Sequence, residues 1–91
     1  MIKISEIKTP NCMRCKSLEP SYNALKEDFT SKYPEKVEFK EYVLNVDSEA
    51  KTYMEKYSLR AAPSFVVEIN GEEGKVVKFE DLKEELSTVL Q

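Results

Sequence analysis

The chain has 91 residues, of which 41% are hydrophobic and 34% are charged, and its formal net charge is −3. This length and composition indicate one soluble globular domain over residues 1–91 and exclude a disordered chain. The mixed, slightly acidic charge offers no basic surface for nucleic acid, and no apolar run is long enough to span a bilayer. The N-terminus lacks the pattern of a signal peptide, so we expect a cytoplasmic protein.

The first predicted elements are a strand and a long helix. Residues 2–7 predict a strand, and alternate residues of it share one face: Ile2, Ile4 and Glu6. A helix is predicted from Cys12 and fades within residues 30–36. Its apolar positions recur at steps of three and four: Cys15, Leu18, Tyr22, Leu25 and Phe29. Pro20 lies within this pattern and predicts a kink.

A second strand and helix follow. Residues 37–46 are rich in β-branched and aromatic residues, which favours a strand. Asp47 or Ser48 can cap the next helix. The apolar face of that helix comprises Ala50, Tyr53, Met54 and Tyr57.

The end of the chain predicts a hairpin and a last helix. Residues 64–69 form a nearly continuous apolar strand, and a turn at Asn70-Gly71 leads to an antiparallel partner over residues 75–79. The last helix begins near Asp81. The predicted order is β-α-β-α-β-β-α, with the first two strands parallel because a helix connects them.

Both cysteines lie at the predicted start of the first helix. Cys12 and Cys15 are three residues apart, so they share one helix face and can approach within the Cα separation of a disulfide. At the helix N-terminus, the pKa of the Cys12 thiol is expected below its free value of about 8.5. Arg14 and Lys16 add positive charge nearby. Cys15, deeper on the apolar face, is suited to resolve a mixed disulfide formed by Cys12.

Two structural roles compete with redox chemistry for this pair. A permanent disulfide here closes a loop too small to constrain much of the unfolded chain. A zinc site normally takes four ligands, and two cysteines without any histidine supply too few, so a dimer or carboxylate ligands would have to complete it. The pair therefore favours reversible redox chemistry without a metal or other cofactor.

The segment CMRCKSLEP resembles the active-site segment of thioredoxins, in which Cys-x-x-Cys is followed by Lys and by a helix-kinking Pro; here these are Lys16 and Pro20. Residues 43–72 are similar to the thioredoxin stretch that holds a strand ending in Asp, a short helix, a Tyr-x-x-Arg loop, a Pro and an Asn-Gly-Glu turn. The resemblance covers nearly the whole chain. It implies a thioredoxin-like α/β fold, a four-stranded mixed sheet flanked by three helices, without the N-terminal strand and helix of full-length thioredoxins.

The same resemblance implies a thiol–disulfide oxidoreductase that reduces disulfide bonds in protein substrates. Thioredoxin reductase is then the expected electron donor, with glutathione as the alternative if the chain acts as a glutaredoxin. We expect a monomer with no nucleic-acid or membrane partner. Two other classes of function stay open: a thioredoxin-like binding module that uses its thiols little, and a dimer that shares one metal centre.

The resemblance also assigns residues outside the cysteine pair. Pro63 corresponds to the cis-proline beside the active site, which would set the backbone of Ala62 opposite Cys12 to pair with an extended substrate. The alternative is a trans proline that starts an edge strand. Glu6 lies where thioredoxins carry a buried acid, and a buried carboxyl would have a raised pKa and could accept the Cys15 proton. The alternative is a solvated glutamate at a strand end.

The sequence departs from the family around the cysteines. Asn11 replaces the usual Trp, and Met13-Arg14 replaces the usual dipeptide, so the reduction potential is not readable from the motif. We still expect Asn11 and Met13 at the entrance that contacts substrate. Where glutaredoxins carry a Gly-Gly pair for glutathione, this chain has bulky and acidic residues, which predicts a weakened glutathione site. These residues are Lys78, Phe79, Glu80 and Asp81.

Overall fold

A computed structural model describes residues 1–90 of the chain. These residues form four strands and three helices in the predicted order β-α-β-α-β-β-α. The strands are β1 (Ile2–Lys8), β2 (Val37–Val43), β3 (Ser64–Ile69) and β4 (Lys75–Val77), and the helices are α1 (Met13–Lys32), α2 (Ser48–Lys56) and α3 (Phe79–Leu90). Within this part of the chain, no helix is both long and apolar enough to cross a membrane.

The strands form one mixed sheet in the order β2-β1-β3-β4. β1 pairs in parallel with β2, with Ile2 opposite Val37, and antiparallel with β3, with Ile2 opposite Ile69. β3 pairs antiparallel with β4. The predicted parallel pair and terminal hairpin are thus confirmed. Since β1 and β2 run in the same direction, α1 between them must run back over the sheet.

The main core lies on the face of the sheet under α1 and α3, called here the inner face. Its buried residues are Ile2, Ile4, Tyr22, Phe29, Val37, Phe65, Val67, Val77, Leu82 and Leu86. The ring centroid of Tyr22 lies 5.0 Å from that of Phe65, 6.2 Å from Phe39 and 6.4 Å from Phe79. This aromatic cluster anchors α1 to the sheet by burying apolar area.

The opposite face of the sheet, called the outer face, is covered by α2. Its buried apolar residues are Ile7, Ala50 and Val66. The rings of Tyr42, Tyr53 and Tyr57 stack one on the next, with centroids 5.7 and 6.0 Å apart. Because helices cover both faces of β1, the strand is buried from Ile4 to Ile7 without alternation.

Three predicted boundaries are wrong by two or three residues. β2 ends at Val43 rather than at residue 46, because the Asp47 carboxylate accepts the Val43 N–H at 2.9 Å and Asn45 takes a left-handed φ of 69°. Asp47 therefore stands at the N-cap of α2 without capping it through its side chain. β4 ends at Val77 rather than at residue 79, and α3 begins at Phe79 rather than near Asp81, because the Phe79 ring packs against the core of the inner face.

Candidate functional site

The turn between β1 and α1 brings both cysteines to the edge where β1 and β2 end. Asn11 has a left-handed φ of 59°, which asparagine tolerates better than most residues, and it turns the chain from strand to helix. Cys12 follows with an extended backbone (φ −84°, ψ 105°) as the N-cap residue of α1. The helix itself begins at Met13, one residue later than the sequence predicts.

Cys12 and Cys15 are joined by a disulfide, and their Cα atoms are 5.2 Å apart. The Cys15 N–H donates to the Cys12 Sγ at 3.0 Å. This sulfur thus takes the place of the side-chain oxygen that usually caps a helix. Cys15 is 6% exposed and Cys12 is half-buried, so Cys12 is the more accessible sulfur, as the sequence predicts.

A small surface cavity of about 210 Å³, called here the cysteine cavity, opens beside the disulfide. Its lining residues are Lys8, Thr9, Asn11, Cys12, Cys15, Lys16, Glu19 and Val43. Four of them are predicted site residues, but Lys8 and Glu19 are not. Only the fold brings Lys8 to the disulfide, whereas Glu19 lies four residues after Cys15 and so was detectable from helical spacing.

A larger groove of about 560 Å³, called here the proline groove, lies between α1, the loop before β3 and the start of α3. It brings Arg14 and Pro63 together. The Ala62–Pro63 peptide bond is cis, as the resemblance predicts. Further lining residues include Leu18, Arg60, Phe65, Lys78 and Phe79. Ala62 and Met13 do not line the groove, and the Met13 side chain is 74% exposed.

Glu6 lies on the inner side of β1 and is 3% exposed. Burial raises the pKa of its carboxyl from the ordinary 4.5 to about 7. The charges of Lys8 and Lys26 oppose this shift, and those of Glu41 and Glu19 add to it. Lys8 and Lys26 form their ion pairs with Glu41, at 3.4 and 3.1 Å, rather than with Glu6. Glu6 is therefore buried, as the family resemblance implies, but it lines neither the cysteine cavity nor the proline groove.

Tyr22 shows a feature that sequence analysis misses, because its helical spacing predicts only packing. The side chain is 1% exposed, and within residues 1–90 its hydroxyl has no hydrogen-bond partner. Burial, and then the negative charge of Glu6, raise the pKa of this hydroxyl well above its usual range. The only signal in the sequence is a tyrosine at a position that would suit phenylalanine.

The thioredoxin family model matches residues 4–91, and no curated protein matches the sequence. The thioredoxin of Fasciola hepatica is similar in structure, with a TM-score of 0.73 and 23% identity over 96% of this chain and 79% of that chain. For the thioredoxin of Trypanosoma brucei brucei the TM-score is 0.77, with 17% identity over 99% of this chain and 75% of that chain. A chain in a complex of ferredoxin: thioredoxin reductase and thioredoxin f2 is also similar. Its TM-score is 0.70, with 24% identity over 99% of this chain and 78% of that chain.

Proposed function

The chain belongs to the thioredoxin family, a family of thiol–disulfide oxidoreductases, and from this premise we propose that it reduces disulfide bonds in other proteins. The observation that carries the proposal is the placement of Cys12. Its sulfur lies at a helix N-terminus, accepts the Cys15 N–H at 3.0 Å and is bonded to Cys15. Since a helix N-terminus stabilises an anion, reduced Cys12 is suited to react as a thiolate.

In the proposed reaction, the Cys12 thiolate attacks one sulfur of a substrate disulfide. The substrate S–S bond breaks, a mixed disulfide forms, and the second substrate sulfur leaves as a thiolate. Cys15 then loses its proton and attacks Cys12, which forms the Cys12–Cys15 bond and releases the first substrate sulfur with its electron pair. The substrate gains two electrons and, with two protons, becomes two thiols, while the cysteine pair is oxidised.

Glu6 is the proposed acceptor of the Cys15 proton. Its carboxyl is buried, and because its pKa is about 7, both of its protonation states are populated near neutral pH. Its strand also supplies Lys8 to the cysteine cavity, so Glu6 lies two residues farther from the strand end that meets the disulfide. A water molecule can carry the proton where the two groups do not touch.

The cysteine cavity and the proline groove together form the proposed substrate site. We assign the contacts to Asn11, Met13, Ala62 and Pro63. Asn11 lines the cysteine cavity, Pro63 lines the proline groove, and the exposed Met13 offers an apolar contact between the two cysteines. The backbone of Ala62, next to Pro63, is the proposed partner of an extended substrate segment. Arg14 and Lys16, one at each opening, favour the Cys12 thiolate by their positive charge.

Thioredoxin reductase is the proposed electron donor, and glutathione is the second candidate. The complex of ferredoxin: thioredoxin reductase with thioredoxin f2 shows a reductase partner for a structurally similar protein. The basic residues of the proline groove, Arg14, Arg60 and Lys78, would suit the carboxylates of glutathione, but Phe79 also lies there and occupies space. We further propose that the chain acts as a single-domain monomer in the cytoplasm and needs no cofactor.

Insulin reduction tests the activity and the donor together. Oxidised protein is supplied either with NADPH and thioredoxin reductase or with glutathione and glutathione reductase. The first system should support insulin reduction, and Cys12→Ser should lower the rate at least about a thousandfold, because the nucleophile is lost. Ser17→Ala, an exposed neighbour on α1, is the matched control and should retain the rate. Full activity of Cys12→Ser would refute the function, and an oxidised pair that neither system reduces would refute both donors.

A further inference from the structure

The hydroxyl of Tyr22 is the one buried side-chain polar atom within residues 1–90 that lacks a hydrogen-bond partner. Three phenylalanine rings surround the Tyr22 ring: Phe39, Phe65 and Phe79. A phenylalanine at position 22 would fill this site without a polar atom, and an unpaired buried hydroxyl lowers stability. The hydroxyl therefore points to a role other than packing.

Glu6 faces the same part of the inner core. It pairs across the sheet with Phe65 of β3, and the Phe65 ring centroid lies 5.0 Å from that of Tyr22. After burial, the charge of Glu6 is the main cause that raises the pKa of the Tyr22 hydroxyl. Glu6 and Tyr22 thus both neighbour Phe65 in a buried region, where a charge acts more strongly than in water.

Cys15 lies on the same side of α1 as Tyr22. The two residues are both buried and are separated by about two helical turns. Because α1 runs back over the sheet, Cys15 lies over the end of β1, where Lys8 also lines the cysteine cavity, and Tyr22 lies farther in. Glu6 precedes Lys8 on the strand. Cys15, Glu6 and Tyr22 therefore follow one another from the disulfide into the core.

We propose that Tyr22 is a positioning residue whose hydroxyl donates a hydrogen bond to a bridging water molecule, which in turn donates to the ionised carboxylate of Glu6 and orients it toward Cys15. The inference rests on the proposed proton transfer. In that step the Cys15 S–H bond breaks, an O–H bond forms on Glu6, and the electron pair stays on the Cys15 sulfur. Tyr22 keeps its proton throughout, because burial beside a carboxylate favours the neutral, donating phenol.

Several charged groups also act on Glu6, and the test must leave them in place. They are Lys8 on β1, Glu41 on β2, and Glu19 and Lys26 on α1, whereas the β3 neighbour Phe65 carries no charge. Lys26 also places its Nζ 5.3 Å from the Tyr22 ring centroid. Tyr22→Phe keeps the ring and all of these charges, so a change in the pKa of Glu6 can be assigned to the loss of the hydroxyl.

The experiment is an NMR titration of Glu6 in oxidised, ¹³C-glutamate-labelled protein, with and without Tyr22→Phe. Loss of a donor to the carboxylate should raise the pKa of Glu6 by about one unit, a tenfold change in proton affinity. The pH profile of the Cys15 release step should move upward by the same amount. Tyr33→Phe removes a hydroxyl at the far end of α1 and should change neither value.

An unchanged Glu6 pKa in folded Tyr22→Phe would refute the proposal, whether or not the protein reduces insulin. If Tyr22→Phe does not fold, the unsubstituted protein decides: the Tyr22 Cζ chemical shift should follow the Glu6 titration, and a shift independent of it would refute the hydrogen bond. A raised Glu6 pKa in a protein that cannot reduce insulin would support the hydrogen bond and refute the proposed function, so the two failures are distinguishable.

Discussion

The outer face of the sheet satisfies its buried hydroxyl groups. Ser5 donates to the Tyr53 hydroxyl at 3.3 Å, and Tyr53 donates to the Glu68 carboxylate at 2.5 Å. The Gly74 N–H donates to the Tyr57 hydroxyl at 2.9 Å. Each of these hydroxyls has a protein partner, which is the usual condition of buried polar groups.

The inner face, which lies beneath Cys15, differs. There the Tyr22 hydroxyl has no hydrogen-bond partner within residues 1–90. Burial raises the pKa of Glu6 to about 7, because the nearby Lys8 and Lys26 form their ion pairs with Glu41 instead. Such groups lower stability. We infer that α2 and the outer face serve mainly to stabilise the fold. The inner face, in contrast, retains polar groups that lower its stability, because they serve proton transfer near the disulfide.

The largest expected difference between the two faces is the pH dependence of the free energy of unfolding that Glu6 causes. Its pKa in the folded state, about 7, lies above the ordinary 4.5 of an unfolded glutamate, so the folded state binds the proton more tightly. Its contribution is therefore fully present below pH 4.5 and is lost as pH rises through 7, by about 3 kcal/mol in all. Urea unfolding of Glu6→Gln should lack this decline.

Glu41→Gln is the matched control for Glu6→Gln. Burial opposes the shift, but the hydrogen bonds and charges of Lys26 and Lys8 hold the pKa of Glu41 below its usual range. Its contribution to stability therefore has the opposite sign: it is present at neutral pH and is lost in acid. An unchanged decline between pH 4.5 and 7 in Glu6→Gln would contradict the buried-acid assignment.

A smaller effect is expected on the outer face from Tyr53→Phe. This change leaves the fully buried Ser5 and the Glu68 carboxylate without their partner, so the free energy of unfolding should fall by about 1–2 kcal/mol. The rate of insulin reduction should not change. Urea unfolding and the insulin assay measure the two quantities, and a loss of activity without a loss of stability would reverse the roles assigned to the faces.

The smallest effect is expected from Arg14→Gln at the entrance. Arg14 is exposed, so the loss of its charge should slow the attack of Cys12 by about two- to fivefold. Because salt screens exposed charges, the difference from the unsubstituted protein should vanish at high ionic strength. Stopped-flow reduction rates at low and high salt measure it. A difference that salt does not reduce would argue for a role of Arg14 other than its charge.

The sequence predicts the order of all seven elements and the cysteine pair, because hydrophobic periodicity and the Cys-x-x-Cys motif are local signals. It misses features that depend on individual side-chain contacts, whether these are local or distant in sequence. The end of β2 is set by the Asp47 side chain, and the start of α3 is set by the Phe79 ring in the core. Likewise, the Tyr22 hydroxyl has no partner among residues 1–90, where phenylalanine rings from β2, β3 and α3 pack around the Tyr22 ring.

The central claim is that Cys12 is the attacking sulfur and Cys15 the resolving one. Its most direct measurement is the trapping of a mixed disulfide between the reduced Cys15→Ser variant and an oxidised protein substrate, located by mass spectrometry of the linked peptides. A stable adduct should accumulate on Cys12, and the reduced Cys12→Ser variant should form little adduct, since Cys15 is only 6% exposed. Adducts that form on Cys15 as fast as on Cys12 would contradict the claim.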